Sequence, residues 1–339
     1  MTLTRTLLGS LLALALTAPA AHASVWDRAL DGPKAQLVQT EYDKALTDAD
    51  DAALAANSRS ASLAQVKESI DKAVALYREA SKLRPKSPEP YYRLGALLHS
   101  FYFDCNQFSW QPATCHAGAR NDAQAREIVD AWDKFEARAP LDPRVNEILL
   151  DRAILRTKLV EARPNDKTLL EAALRDYRTL LDRMDGLYQR SSALVLGNLA
   201  ETYMMLGRLD EAIDAYKDAI RSGAGTSTIY GLAVALDRDE RTAQAMSLIR
   251  DQGIEEYISF QAAFSDHQVF YVPDGEEYYY FALIEEAFGN IDAAIEHWKS
   301  FIKSGAHPQF QPRAKAHLDT LLSKRNLRWR PPIDPLRGM

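Results

Sequence analysis

Two cysteines, Cys105 and Cys115, are the residues of this 339-residue chain whose type and spacing come closest to a specific chemistry. If the chain is exported, they enter an oxidising compartment, where a disulfide is the expected state. A bond between residues so close in sequence would stabilise the fold by about 2–3 kcal/mol through chain entropy. The alternative is a metal site built from both cysteines with His116 and His99, but the spacing is not that of a zinc module. We predict a Cys105–Cys115 disulfide, no metal and no cofactor.

Motifs for enzyme chemistry are missing from the sequence. It contains no Gly-rich phosphate loop, no His-Glu-x-x-His zinc motif and no Gly-x-Ser-x-Gly elbow. Clustered carboxylates such as Asp48, Asp50 and Asp51 are typical of solvated helix faces. The stretch from Asp237 to Glu240 lacks the glycine and the distant glutamate that a calcium loop requires. The sequence therefore predicts a protein that is not an enzyme, with a catalytic site inside an insertion as a third alternative.

The composition indicates a soluble globular chain with a short leader. The chain is 47% hydrophobic and 26% charged with a formal net charge of -6, and it lacks basic blocks, which argues against a nucleic-acid partner. Arg5 precedes an apolar core that ends at Leu16, and Ala21-His22-Ala23 follows. This pattern predicts a signal peptide over residues 1–23 that is cut before Ser24. The core is shorter than the ~20 residues of a spanning helix, so we expect a periplasmic or secreted protein without stable membrane insertion.

The elements that must position any site are helices, and the clearest pair lies in residues 193–224. The apolar positions of its first helix recur at spacings of three and four: Leu196, Leu199, Ala200 and Tyr203. Gly207 breaks this helix, and the second helix has its apolar positions at Ala212, Tyr216 and Ala219. In type and offset these residues resemble the tetratricopeptide repeat (TPR), a helix-turn-helix unit of 34 residues.

The same pattern recurs along most of the chain. The second-helix pattern of residues 73–85 continues in phase into the first-helix pattern of residues 91–98. The resemblance covers most of residues 36–323 and implies an all-α, TPR-like solenoid of helical hairpins with about six helix pairs, an inserted loop and a C-terminal capping helix. We expect three segments: a signal peptide (1–23), the solenoid (24–323, with insertions at about 103–126 and 254–274) and a basic flexible tail (324–339).

In TPR proteins the first helices line a concave groove that binds peptides, and the resemblance implies such a groove here. Positions two, five, nine and twelve of each first helix lie on one helical face that points into the groove. The partner-binding candidates at these positions are Glu89, Tyr92, His99, Glu201, Met204, Tyr230, Asp237, Tyr279 and Glu286. This aromatic and acidic lining is expected to favour a ligand with basic and apolar side chains. The tyrosines could equally support neighbouring repeats.

Together these patterns predict an exported, non-enzymatic scaffold that binds a peptide or protein partner in a TPR groove within an envelope or periplasmic assembly. The alternative is recognition of cell-wall glycan or peptide by the Tyr-rich groove and the inserted loop, which would amount to cell-wall association. The tail carries Trp329 and several arginines, so it is a candidate internal competitor for the groove.

Overall fold

The computed structural model describes residues 33–58, 61–104, 121–160, 167–183, 189–265 and 273–328. Every regular element in these residues is helical, which confirms the predicted all-α class. The α-helices there are α1 (Pro33–Ala56), α2 (Leu63–Leu83), α3 (Glu89–Tyr102), α4 (Asp122–Arg138), α5 (Arg144–Leu159), α6 (Lys167–Arg183), α7 (Gln189–Met205), α8 (Leu209–Arg221), α9 (Thr226–Arg238), α10 (Thr242–Gln252), α11 (Ile254–Ser265), α12 (Glu277–Phe288), α13 (Ile291–Ser304) and α14 (Gln311–Arg328).

Consecutive helices of the described chain pack as six pairs that stack one on the next. They are pair one (α1, α2), pair two (α3, α4), pair three (α5, α6), pair four (α7, α8), pair five (α9, α10) and pair six (α12, α13). Helix α11 is an additional helix after pair five, and α14 packs on α13 at the C-terminal end. The predicted solenoid of about six pairs with a capping helix is therefore confirmed.

The boundaries differ from the sequence-based ones in three places. Helix α4 begins at Asp122, so the connection inside pair two ends before the predicted residue 126. The second insertion, predicted at 254–274, contains helix α11, and α14 runs on to Arg328, past the predicted end of the solenoid at residue 323. The signal peptide, both cysteines and the tail beyond residue 328 lie outside the described residues, so those predictions stay predictions.

Two glycines let aromatic rings pack directly on a helix backbone. A Cβ atom on Gly95 of α3 would stand 2.3 Å from Nε1 of Trp132 on α4. A Cβ atom on Gly231 of α9 would stand 2.6 Å from the ring of Tyr216 on α8. Any larger side chain at either position would overpack the contact. Gly95 therefore sets how closely α3 and α4, the two helices of pair two, approach each other.

Arg156, which departs from the apolar repeat pattern, belongs to an ionic cluster between pairs two and three whose buried members are Arg152, Arg156 and Asp176. Arg152, 1% exposed, lies one turn earlier and contacts Asp176 at 2.8 Å and Glu136 at 2.5 Å. Arg156 contacts the same Asp176 at 2.5 Å and also pairs with Asp133. Removing one partner would leave a buried charge unpaired, so the cluster fixes how α4, α5 and α6 meet.

The buried core runs along the stack. One apolar cluster extends from Ala49 to Leu159, and a second extends from Ala153 to Leu321. The two overlap in α5, and Leu180 of α6 packs against both. Each pair is therefore stabilised mainly by its neighbours, as in other solenoids.

Candidate partner-binding groove

The nine predicted groove residues divide into a buried and a partly exposed set. The buried set, in which at most 1% of each residue is exposed, is Met204, Tyr230, Asp237 and Tyr279. The partly exposed set is Glu89, Tyr92, His99, Glu201 and Glu286. These four side chains are buried in the folded chain and therefore do not face an open groove. Pair two keeps all its candidates at the surface, whereas pairs five and six bury all but Glu286.

Helix α11 covers position five of pair five. The ring of Phe260 packs edge-on against the ring of Tyr230, with centroids 5.1 Å apart. Tyr257 of the same helix donates its hydroxyl to Glu285 of α12 at 2.8 Å. Helix α11 is thus held to both pairs five and six, and it leaves Tyr230 with no exposed surface.

Helix α14 covers position twelve of pairs five and six. His317 lies between two carboxylates, with Nε2 3.0 Å from Oδ1 of Asp237 and Nδ1 2.8 Å from Oε2 of Glu286. Arg313, one turn earlier on α14, places Nη2 3.0 Å from the same Asp237 oxygen. Tyr279 donates its hydroxyl to the other Asp237 oxygen at 2.7 Å. The acidic positions predicted for a partner therefore contact the chain's own cations.

The charges in this cluster stabilise each other. Burial lowers the pKa of His317, but hydrogen bonds with Asp237 and Glu286 outweigh it and raise the pKa to about 9. Burial raises the pKa of Asp237, but its contacts with His317 and Arg313 more than offset this and hold the pKa well below its usual range. At neutral pH the Asp237 carboxylate is ionised and the His317 ring is protonated.

Glu201 of pair four is contacted from pair six. Tyr280 of α12 donates its hydroxyl to Oε1 of Glu201 at 2.8 Å. Burial raises the pKa of Glu201 to about 7, and hydrogen bonds from Tyr216 and Tyr280 lower it only in part. A side chain of α12 in pair six therefore contacts α7 of pair four directly, across pair five.

The open part of the groove lies between the first helices of pairs two and three, α3 and α5. Tyr92 donates its hydroxyl to Glu147 of α5 at 2.8 Å. The guanidinium of Arg144 lies over the Tyr92 ring, 4.5 Å from its centroid, and pairs with Glu89 at 3.0 Å. Burial and the bond to Glu147 raise the pKa of Tyr92 above its usual range, so the hydroxyl stays protonated.

His99 and Phe103 extend this open surface along α3. Nε2 of His99 lies 3.8 Å from Oδ2 of Asp151 on α5, and the His99 ring stacks on Phe103 with centroids 6.0 Å apart. Nζ of Lys158 lies 5.5 Å from the centroid of the Phe103 ring. We call this surface the α3–α5 groove and define it by Tyr92, Ala96, His99, Phe103, Glu147, Asp151 and Lys158.

The sequence predicts the α3 side of this groove but not the α5 side. Glu147, Asp151 and Lys158 are spaced by four and seven residues, so they share one helical face. That spacing is a signal that could have found them, because the buried residues of α5 occupy its other faces. Arg313 and His317 have the same one-turn spacing on α14, but local sequence does not show which carboxylates they contact.

This surface carries aromatic rings, the carboxylates of Glu147 and Asp151, and two cations, Arg144 and Lys158. Among the described residues, no three His, Cys, Asp or Glu side chains are placed together to hold a metal ion. The alternative metal site with His99 requires Cys105, Cys115 and His116, which lie outside those residues. In the same part of the chain, no helix is both long enough and apolar enough to cross a membrane.

Sequence comparison identifies the repeat. Residues 67–100, which span most of α2 and α3, match the family model described as TPR repeat. This segment therefore matches the repeat that the spacing pattern predicts. No curated protein matches the sequence. The TPR fold suggests a scaffold for protein–protein interaction, although a fold alone does not define the partner.

The solved structures that match the chain include the following three, each of low similarity. A structure reported as the functional characterization of Pseudomonas aeruginosa pilF is 11% identical with a TM-score of 0.41, and the match covers 84% of this chain and 99% of that one. The structure of Naa15/Naa10 bound to HypK-THB is 11% identical with a TM-score of 0.37, covering 88% and 37%. The crystal structure of yeast Tom70 is 15% identical with a TM-score of 0.31, covering 86% and 66%.

Proposed function

We propose that this protein is an exported, non-enzymatic scaffold that binds a peptide or protein partner in the α3–α5 groove, within an envelope or periplasmic assembly. One observation carries the proposal. The first-helix face that binds partners in TPR proteins is open here in pairs two and three, whereas the chain's own helices cover it in pairs five and six.

The composition of the groove supports this role. Tyr92, His99 and Phe103 are half-buried, so each ring is held by packing while part of it stays accessible. Aromatic residues held in this way anchor many interfaces, because they bury a large area for little loss of side-chain entropy. The carboxylates of Glu147 and Asp151 beside them would steer a cationic partner toward the groove.

Export rests on the leader pattern of residues 1–23 and is tested separately. N-terminal sequencing of the protein recovered outside the cytoplasm is expected to begin at Ser24, and an intact Met1 would contradict cleavage. The mass measured without reductant is expected to be two hydrogens below the reduced mass, in agreement with the Cys105–Cys115 disulfide. Two alkylatable thiols in the freshly purified protein would contradict that bond.

Photo-crosslinking from inside the groove tests the binding site. Ala96 lies at position nine of pair two and is partly exposed. A photoreactive amino acid in place of Ala96 is expected to form a covalent adduct with a protein in intact cells. The control is the same amino acid in place of Lys217 on α8, whose side chain is 45% exposed and lies on a second helix. We expect no comparable adduct from that position.

Two results would contradict the proposal. The first is an adduct that forms from Lys217 as readily as from Ala96, or the absence of an adduct from both positions. The second is retention of the protein on isolated cell wall without any protein adduct, which would favour recognition of cell-wall glycan or peptide instead.

A further inference from the structure

We infer that the partner presents to the α3–α5 groove a helical segment with two cationic side chains one turn apart and an aromatic side chain beside them. The inference rests on the proposed function and goes further by naming the chemistry of the bound segment. Three features carry it: the contacts of α14 with the acids of pairs five and six, the contact of α11 with the tyrosine of pair five, and the acids of α5.

Helix α14 shows which side chains this chain uses against the acids of its covered groove. Arg313 and His317 are four residues apart, so they project from one face of the helix. Both contact Asp237, and His317 also contacts Glu286. Two cations one turn apart therefore neutralise the acids at position twelve of pairs five and six.

Helix α11 supplies the aromatic contact. Phe260 meets Tyr230 edge-on at a centroid distance of 5.1 Å, and in such pairs the positive edge of one ring faces the negative face of the other. Tyr92 occupies in pair two the position that Tyr230 occupies in pair five. Arg144 lies over the Tyr92 ring and Phe135 packs against it with centroids 5.1 Å apart, so the part of the Tyr92 ring that stays exposed is where an aromatic side chain of a partner fits.

Helix α5 offers the matching acids in the open groove. Glu147 and Asp151 are one turn apart, as Arg313 and His317 are on α14. Glu147 is exposed, and 39% of the Asp151 side chain is exposed. Glu147 accepts a hydrogen bond from Tyr92, and Asp151 lies 3.8 Å from His99. Among the described residues, no lysine or arginine forms an ion pair with either carboxylate. Both carboxylates can therefore pair with a cation from outside.

Lys158 limits where those cations can lie. It follows Asp151 by seven residues on the same helical face, and its Nζ lies over the ring of Phe103. A third cation on the partner would be repelled there. Arg144 and Lys158 lie on either side of Glu147 and Asp151 along α5, over the rings of Tyr92 and Phe103, and they confine the partner's cations to the two acids between them.

Designed helical peptides test the inference on the full mature chain. The probe is a fluorescent Ala/Gln-based peptide of about 16 residues, because shorter isolated helices are marginal in water. It carries one phenylalanine and two arginines one turn apart on one face, and matched peptides replace both arginines by glutamate or the phenylalanine by alanine. We expect the basic aromatic peptide to bind about tenfold or more tightly than the glutamate peptide, and its binding to weaken as salt rises.

Variants of the protein that lack the two carboxylates provide the second part of the test. Glu147→Gln combined with Asp151→Asn removes two carboxylates with little change of shape, and we expect it to weaken binding of the basic peptide about five- to tenfold. The matched control is Asp210→Asn combined with Asp214→Asn on α8. These side chains are also one turn apart and are 87% and 80% exposed, so the control is expected to leave the affinity unchanged.

Three results would overturn the inference: equal binding of the basic and glutamate peptides, an unchanged affinity in the variant of Glu147 and Asp151, or no binding of any peptide. A protein adduct from Ala96 together with one of these results would leave the proposed function standing and remove only the helical, cationic chemistry. Failure of both the adduct and the peptides would remove both.

Discussion

Equivalent repeat positions have opposite environments at the two ends of the groove. At position five, Tyr92 of pair two is partly exposed and Tyr230 of pair five is buried. At position nine, Ala96 of pair two is partly exposed and only 1% of Val234 of pair five is exposed. The helical phase sets which side chains face the groove, but later parts of the chain decide whether that face stays open.

The first helices of pairs five and six, α9 and α12, are buried on every side, so no accessible face remains at this end. All residues from Tyr230 to Arg238 of α9 are buried, and so are all residues from Tyr279 to Glu285 of α12. A mostly apolar helix of this kind is stable only when other elements pack on each of its faces. Helices α11 and α14 provide part of that packing, whereas α3 keeps a partly exposed stripe at Tyr92, Ala96 and His99.

Removal of one carboxylate should give the largest difference between the two ends. Asp237→Ala leaves His317 and Arg313 without their shared acceptor, and we expect the free energy of unfolding to fall by about 3–5 kcal/mol. Asp151→Ala removes a partly exposed carboxylate that lies 3.8 Å from His99, and we expect a change within about 1 kcal/mol. Urea unfolding followed by circular dichroism measures both values. Losses of the same size would contradict the distinction between the two ends.

The covered end should also lose stability at alkaline pH. His317 faces Asp237, Glu286 and Arg313, and its pKa is raised from 6.5 to about 9. Because the pKa is higher in the folded chain, this contribution is fully present below about pH 6.5 and is lost as the pH rises through about 9. The loss is at most about 3 kcal/mol. Urea midpoints measured at several pH values should fall less steeply for His317→Gln than for the unchanged protein, and identical slopes would rule out this role.

Alanine substitutions at two glycines should change the free energy of unfolding by smaller amounts, and the two changes should have opposite signs. A Cβ on Gly95 would collide with Nε1 of Trp132 at 2.3 Å, so we expect Gly95→Ala to lower the free energy of unfolding by about 1–3 kcal/mol. A Cβ on Gly197 would meet only Oγ1 of Thr228, at 3.6 Å. Gly197→Ala is therefore expected to stabilise the protein by roughly 0.5–1 kcal/mol, because alanine favours the helix. Thermal unfolding compares the two, and destabilisation by both would show that the Gly95 contact is not special.

The smallest effects are expected from two tyrosine hydroxyls. Tyr92→Phe removes the bond to Glu147 and should lower the free energy of unfolding by about 0.5–1 kcal/mol. The buried hydroxyl of Tyr230 has no hydrogen-bond partner within the described part of the chain, so Tyr230→Phe should be neutral or stabilising. Chemical unfolding of both variants checks the signs. A clear loss in Tyr230→Phe would mean that this hydroxyl is satisfied in solution.

The helix pairs can be predicted from the sequence because they depend on short-range spacing. The predicted break at Gly207 is an example: α7 ends at Met205, and Gly207 has a φ of +74°, which glycine adopts without strain. The small residues Ala200 and Ala212 are also buried at 0% exposure, where the pattern requires close approach.

Coverage of the groove could not be predicted in the same way, because it depends on residues far apart in sequence. Phe260 meets a tyrosine 30 residues earlier, and His317 meets an aspartate 80 residues earlier. One local signal does exist: the run from Tyr279 to Ile284 has no polar face and predicts a helix buried on all sides. That run does not reveal which helices cover it.

Thiol labelling at position nine tests most directly the central claim, that the groove is open in pair two and closed in pair five. Ala96→Cys and Val234→Cys place the same side chain at equivalent positions, and peptide mass spectrometry separates their labelling from that of Cys105 and Cys115. We expect Ala96→Cys to react on the folded protein and Val234→Cys to react only when the protein unfolds, because Val234 is 1% exposed. Equal labelling rates on the folded protein would contradict the account.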